Sequence, residues 1–384
     1  MRQKNFVGVL VLGIMLSVSA ARAAAFEQAV VDRTKGKAEV VTFDGGRRPA
    51  AVGDFIFGGE IIETGADGQV RLVLGDGSVL MVSPKTRVEV TDERTRLSTG
   101  EMVVVYMGRL WCQVVKPSDG GTSLEVVGPT AVAGVRGTEF EAGVGLDGST
   151  RVGVTRGAVE VASAAGRVEI GAGRETTVDL DAGPAAPAAY AGGNESWRQW
   201  ALDRQDRIIK NGDRIVPRMV APVRQSRAQL RRLRQDGNRN FSRLRSRAER
   251  RQAAGRPALG PAERQEVLQY LRETGAAVRQ LYLADRQLMA RWYLLRQIRE
   301  DVREHPDLYK PGFAATLDEA LAEFDRQDVA GMHAEDGKII EAYIDWFDHF
   351  QAQHRIGRYR DGAPDPEARR EQIRRARQNA PTGD

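Results

Sequence analysis

Cysteine is almost absent. Cys112 is the only one in 384 residues, which excludes an intramolecular disulfide framework and a four-cysteine zinc site. The four histidines (His305, His333, His349 and His354) leave little material for histidine-based metal chemistry. His349 and His354 are five apart, off the same-face helical spacing of three or four. G-x-S-x-G, H-E-x-x-H, EF-hand and P-loop signatures are all missing. Beyond the N-terminus, no apolar run approaches the roughly 20 residues that a membrane-spanning helix needs.

At the N-terminus, Arg2 and Lys4 precede an apolar run from Phe6 to Ala20, followed by Ala21-Arg22-Ala23-Ala24-Ala25. A basic region, an apolar region and an A-x-A site have the anatomy of a secretory signal peptide over 1–25, the other reading being a retained anchor. The expectation is an exported, periplasmic protein, in a compartment where nucleic acid and ATP are scarce. No cysteine lies near the cleavage site to carry a lipid.

The charge is divided. Residues 26–183 carry 17 Lys/Arg against 23 Asp/Glu, and residues 184–384 carry 37 against 29. The acidic half is punctuated by glycine among Val, Thr and Ile; the basic half is dense in Arg, Gln, Leu and Glu. This predicts strands first and helices second, a multi-domain chain.

From Ala38 to Leu180 short alternating runs such as 69–74, 87–90, 102–106 and 158–161 predict strands with one buried face. Asp44-Gly45, Asp67-Gly68, Asp76-Gly77 and Asp147-Gly148 supply the pairs that tight hairpins favour. An all-β domain over 26–181 follows, sandwich-like or solenoid-like. Gly143-Val144-Gly145-Leu146-Asp147-Gly148 matches G-x-G-x-x-G, but a strand rather than a helix follows, so it reads as a loop between strands. Glu139 and Glu141 share one strand face and are the only candidates for paired-acid chemistry; strand acids at this spacing usually face water. Trp111-Cys112 falls inside an apolar run with no histidine before His305, so Cys112 reads as a buried structural thiol, with an intermolecular disulfide as the alternative.

Several motifs resemble those of the FecR domain. They are Gly53-Asp54-Phe55-Ile56 with Ile61-Ile62-Glu63-Thr64-Gly65, Leu74-Gly75-Asp76-Gly77-Ser78, and Leu97-Ser98-Thr99-Gly100-Glu101. The most specific runs from Val127-Gly128-Pro129 through Arg136-Gly137-Thr138-Glu139-Phe140. Gly157-Ala158-Val159-Glu160-Val161 and Gly171-Ala172-Gly173 close the series. The residues that carry the likeness (Gly53, Asp54, Asp76, Gly77, Ser78, Pro129, Arg136, Gly137, Thr138, Phe140, Gly157 and Gly173) are expected to be mainly structural. Gly137 can take a backbone angle that other residues resist, and Arg136 has donors enough to tie a neighbouring loop.

The best-known FecR proteins are transmembrane regulators of iron-uptake sigma factors, with a cytoplasmic anti-sigma segment and one membrane span. This chain departs from that plan by its signal peptide and its long arginine-rich second half, so sigma-factor regulation is not carried over. The resemblance implies a bacterial, extracytoplasmic β-module used for interaction.

Residues 182–193, rich in Ala, Gly and Pro, read as a linker. An α-helical, arginine-rich region follows over 194–384, with Asn194 as the expected N-cap. The spacing predicts a longest helix from Pro261 to Glu304. Its seam runs Val267, Leu271, Thr274, Val278, Leu281, Asp285, Leu288, Trp292, Leu295, Arg299 and Val302, a coiled-coil-like stripe with three polar interruptions. Thr316-Leu317-Asp318-Glu319 reads as a capping box opening another helix. Ile340, Tyr343, Phe347 and Phe350 continue a 3-4-3 spacing.

Residues 218–256 hold 13 arginines against Asp236 and Glu249. Their apolar stripe breaks at Gly237-Asn238. A solvated face, contact with an anionic envelope surface, and nucleic acid are the three readings, the last disfavoured by export and by the lack of interleaved aromatics. Candidate contact residues are Arg224, Arg227, Arg231, Arg232, Arg234, Arg239, Arg243, Arg245, Arg247, Arg250 and Arg251. No catalytic residue, metal ligand or cofactor is expected. The residues point to a binding or scaffolding protein that meets a protein partner, a cell-wall glycan or an anionic membrane and self-associates through its helices. The alternative is a signalling component reporting to a membrane regulator.

Overall fold

A computed structural model describes residues 27–42, 45–91, 101–116, 124–253 and 261–338, with residues 371, 375 and 378. The signal-peptide reading, Asp44, the Leu97–Gly100 motif residues and the aromatic series from Ile340 to Phe350 lie outside them.

Among the described residues seventeen strands form one hydrogen-bonded sheet that a single strand divides into two layers. That strand is β9 (Glu101–Gln113). Its first half, up to Met107, pairs with β8 (Arg87–Val90) and, in parallel, with β10 (Leu124–Val127). From Gly108 onward it pairs with β7 (Val79–Val82) and β12 (Glu139–Val144) in the other layer. Gly108 turns the strand between them with φ +94, and a Cβ there would lie 2.3 Å from Thr86 Oγ1. Only glycine fits the angle and the space.

The first layer continues β8 through β5 (Ile61–Thr64), β2 (Ala38–Val41) and β3 (Arg47–Pro49). On its other side β10 leads to β11 (Val132–Val135), β14 (Ala158–Ser163) and β15 (Gly166–Gly171). The second layer runs from β7 to β6 (Gln69–Leu74), β1 (Glu27–Lys35) and β4 (Phe55–Phe57). Its other side is β12, β13 (Thr150–Arg156), β16 (Arg174–Val178) and β17 (Ala188–Ala189). Alternating side chains from both layers, among them Val40, Ile62, Val88, Leu72, Leu80 and Phe140, meet in one core.

The linker is held down. Within 182–193, β17 extends the second layer, Ala185 N donates to Thr177 O (3.0 Å), and Tyr190 N donates to Gly173 O (2.9 Å). Helix α1 (Gly193–Ala253) follows, kinked at Asn211. With 61 residues it is longer than α2 (Pro261–Glu304, 44 residues), so the expected bounds of α2 hold but its rank does not. The helix also runs unbroken through Gly237 and Asn238. A 3-10 turn (Pro306–Leu308) leads to α3 (Phe313–Arg326), and 329–338 form α4.

Two cap readings need correction. Helix α3 begins at Phe313 behind Gly312, which places Thr316 inside it rather than at its cap. Asn194 Oδ1 instead accepts Arg109 Nη2 at 2.7 Å. These side chains are claimed by tertiary partners and chain path, which a local capping pattern does not report.

The helices share the β-core rather than building a separate one. Ile208, Val216 and Met219 of α1, Leu281 and Leu295 of α2, and Phe313 and Phe324 of α3 belong to the same buried cluster as the strands. Val267, Leu271 and Thr274 of the α2 seam have side chains outside the described set; most of the rest are buried, but so are Tyr282, Ala290, Leu294 and Ile298. The buried surface is therefore wider than a two-stranded seam: α2 lies between the strands on one side and α1 and α3 on the other.

Candidate functional site

Three separated sequence motifs converge where β9 ends. Val115 N donates to Ser78 Oγ at 3.0 Å, and Val114 N donates to Thr138 O at 2.9 Å. Ser78 is itself tied to the Asp76 carboxylate, through its amide and its hydroxyl at 2.8 Å each. The hydroxyl of Thr138, which is 1% exposed, donates to Ala158 O at 3.0 Å. Gly137 has φ +61, and a Cβ there would lie 2.8 Å from Lys116 Cβ. Gly157 closes the corner, its Cβ position 3.0 Å from Thr138 Oγ1. Gly137, Thr138, Ser78 and Gly157 thus fix backbone.

Arg136 stands apart from them. It is exposed, and among the described residues its guanidinium ties no loop. Beside it lie exposed Val115 and Lys116, and Arg156 stands at the end of β13, where it approaches Glu139 at 3.6 Å. Arg136, Lys116 and Arg156 are thus exposed cations at this corner, beside the carboxylates of Glu139 and Asp76. Sequence reasoning missed Val115, Lys116 and Arg156. Val115 and Lys116 follow an apolar run that reads as continuing strand, and Arg156 reads as an ordinary strand end.

The remaining motif residues sit elsewhere. Gly53 and Asp54 form the turn before β4, where Asp54 Oδ2 accepts Arg48 Nη1 (2.6 Å) and Ala51 N (3.0 Å). Phe140 is core, 0% exposed. Gly173 turns β15 into β16, and its amide donates to Val154 O at 2.8 Å. Pro129 lies at the helical junction, its carbonyl 3.4 Å from Arg291 Nη2. The candidate acids are both engaged: Glu141 accepts Tyr190 Oη at 2.6 Å and pairs with Arg109 at 3.2 Å. Burial, then the Glu141 carboxylate, pushes the Tyr190 phenol well up. Among the described residues no cluster of three or more His, Cys, Asp or Glu could hold a metal. No described helix is long and apolar enough to cross a membrane.

The far end of β12 is where the helices dock. The glycines of Gly143–Gly148, read from the sequence as a loop, are the seat of α1. A Cβ on Gly143 would lie 1.9 Å from Trp197 Cη2, and one on Gly145 would lie 2.7 Å from Arg204 Cγ. Asp147, 3% exposed, pairs with Arg207 at 3.0 Å. Across the first layer, α2 places Val278, Tyr282 and Ala290 on Met102, Val104, Tyr106 and Val127. Buried ions fix this contact. Glu89 accepts Tyr106 Oη (2.5 Å) and Arg286 Nη2 (2.9 Å), and Arg286 also pairs with Asp285 at 2.7 Å. His333 of α4 closes the chain on Asp285 at 2.7 Å. Glu125 pairs with Arg279 at 2.7 Å. The helical region therefore occupies one end and one face of the β-domain and leaves the motif corner uncovered by any described helix.

Of the candidate arginines, Arg231, Arg232, Arg239, Arg243 and Arg250 are exposed on α1. Arg224, Arg227, Arg234, Arg245, Arg247 and Arg251 lie on the same helix, with side chains outside the described set.

Residues 60–160 match the family model described as FecR protein, so the chain carries the FecR-type domain that its motifs resemble. Two crystal structures of a candidate anti-sigma factor from Parabacteroides distasonis ATCC 8503 are similar to it, each at 20% identity and a TM-score of 0.30. The likeness covers 34% of this chain and 59% of the other. No curated protein matches the chain.

Proposed function

We propose that this is an exported, non-enzymatic binding or scaffolding protein of the bacterial cell envelope, acting in the periplasm through the motif corner of its FecR-type domain. The observation that carries this reading is Arg136. Its two successors are locked by a left-handed backbone and a buried hydroxyl, yet Arg136 itself reaches into solvent with Lys116 and Arg156 beside it. A rigid mount presenting unburied guanidinium groups suits carboxylate-bearing partners, whether acidic protein surfaces or cell-wall glycan. The match to the FecR family favours a second reading, an extracytoplasmic signalling component that reports to a membrane regulator.

The test is co-sedimentation with purified cell wall, run beside cross-linking in solubilised envelope, for the wild type and Arg136→Glu. Loss of binding in the folded variant supports the corner as the contact. Unchanged binding by the variant removes it. A cross-linked membrane regulator whose transcriptional output falls on deletion of this protein selects the signalling reading.

A further inference from the structure

Helix α1 continues for about 30 residues past Val223, the last residue of the helix described as buried. On this arm Gln235, Arg239, Ser242, Arg243, Ser246 and Arg250 line one open groove. Their spacing of four, three, one, three and four puts them on a single helical face. Arg231 and Arg232 are exposed on the turns just before it. From Arg231 to Arg250 the array spans about 28 Å, with Asp236 and Glu249 the acidic residues of that stretch. On the first turns of α2 the described positions Gln265, Gln269 and Glu273 are exposed.

The shape of this array decides what it fits. A small anion needs donors that converge on one point, whereas these guanidinium groups are strung along a rod and open to solvent. Among the described residues no aromatic side chain lines the groove to stack a base, which single-stranded nucleic acid would require. Guanidinium groups repeated along a line, with hydroxyl and amide groups between them, fit a flat field of phosphate oxygens.

We infer that the arginine face of the α1 arm lies on an anionic phospholipid surface. This contact is separate from the motif corner and does not depend on it: the corner turns one end of the β-domain toward a partner, and the arm holds the molecule to the membrane.

The experiment uses the chain from residue 26 onward, which retains every described element. It is sedimented with vesicles containing phosphatidylglycerol and with vesicles of phosphatidylcholine alone, over a salt series. The expected result is binding to the anionic vesicles only, weakening as salt shortens the screening length. Arg239→Gln, Arg243→Gln and Arg250→Gln combined should reduce it on the order of a hundredfold, at roughly fivefold per near-surface cation. These side chains are exposed, so unchanged helicity and melting temperature will show the variant folded. Arg167→Gln on β15, also exposed, should bind as the wild type does. Equal binding to both vesicle types, or a folded triple variant that sediments like the wild type, overturns the inference. So does binding to soluble polyphosphate without binding to vesicles, which would assign the array to a free polyanion. Arg136→Glu should leave vesicle binding intact, so failure of the corner and failure of the arm are told apart.

Discussion

Gly143 lies directly under the indole of Trp197, so near that a methyl group at position 143 would stand 1.9 Å from Cη2. Next to this contact, Arg109 reaches Asn194 and Arg151 reaches Ser196 Oγ at 2.9 Å, so the first turn of α1 is set on β12 and β13 by packing and hydrogen bonds together. Gly143→Val should overpack this seat and cost about 1–3 kcal/mol. Urea unfolding would measure it. Trp197→Ala should recover part of the loss in the double variant, because the two residues share one space.

Arg286 neutralises two carboxylates at the α2 contact, Glu89 at 2.9 Å and Asp285 at 2.7 Å. Arg286→Met keeps the stem and removes the charge, leaving two acids buried with too little compensation. Breaking one partner out of such a group costs about 3–5 kcal/mol. Glu89→Gln should cost less, since an amide oxygen can still accept from Tyr106. Equal losses in the two variants would mean that packing, not charge, holds α2 on the strands.

The period of α2 was legible from sequence, but what its polar interruptions do was not. Asp285 and Arg299 look like flaws in an apolar seam. In the fold Asp285 joins Arg286 and His333, while Arg299 Nε meets Asp318 Oδ1 of α3 at 2.6 Å. Glu89 and Arg286 stand 197 positions apart, and no local pattern encodes such a pair. The Asp-Gly hairpins 76–77 and 147–148 were readable because their chemistry is local. The linker composition reports chain stiffness, and the ladder that β17 makes with β16 is not local to it. At the motif corner Gly137 and Thr138 hold backbone, while Arg136, read as tying a neighbouring loop, is exposed and makes no such tie among the described residues.

Gly137→Ala and Arg136→Ala should separate mount from contact. Alanine at φ +61 costs about 1–2 kcal/mol from the backbone alone, and its methyl would also meet Lys116 Cβ at 2.8 Å. Arg136→Ala should stay within about 0.5 kcal/mol, as exposed substitutions do. Thermal melts of both variants check the split. A large loss for Arg136→Ala would return that residue to a structural role.

Cys112 is 0% exposed among Leu80, Leu110 and Phe140, and burial, followed by the Glu141 charge, pushes its thiol well above the usual range. A protonated, covered thiol neither attacks disulfides nor forms one between chains. The folded protein should not react with Ellman's reagent within hours, and the protein in denaturant should react at once. Prompt reaction of the native protein, or a dimer lost on reduction, would show this strand opening on its own.

Asp285 gives the α2 contact a pH dependence of known sign. Burial alone would raise its pKa, but His333 and the Arg286 guanidinium outweigh that and hold it below the ordinary carboxylate range. A carboxylate depressed in the folded state contributes stability that is fully present above its unfolded pKa of about 3.9 and is lost as pH falls through the folded value. Glu60, pushed up by burial, works in the opposite direction, favouring the fold below its unfolded pKa and losing that contribution as pH rises through the folded one. The two are separated by comparing the wild type with Asp285→Asn, which keeps Glu60 in both. The stability advantage of the wild type should be constant from pH 7 to about pH 5 and shrink steadily as pH drops further. A gap that stays level down to pH 2 would mean that Asp285 holds His333 and Arg286 by hydrogen bonds that do not need its charge.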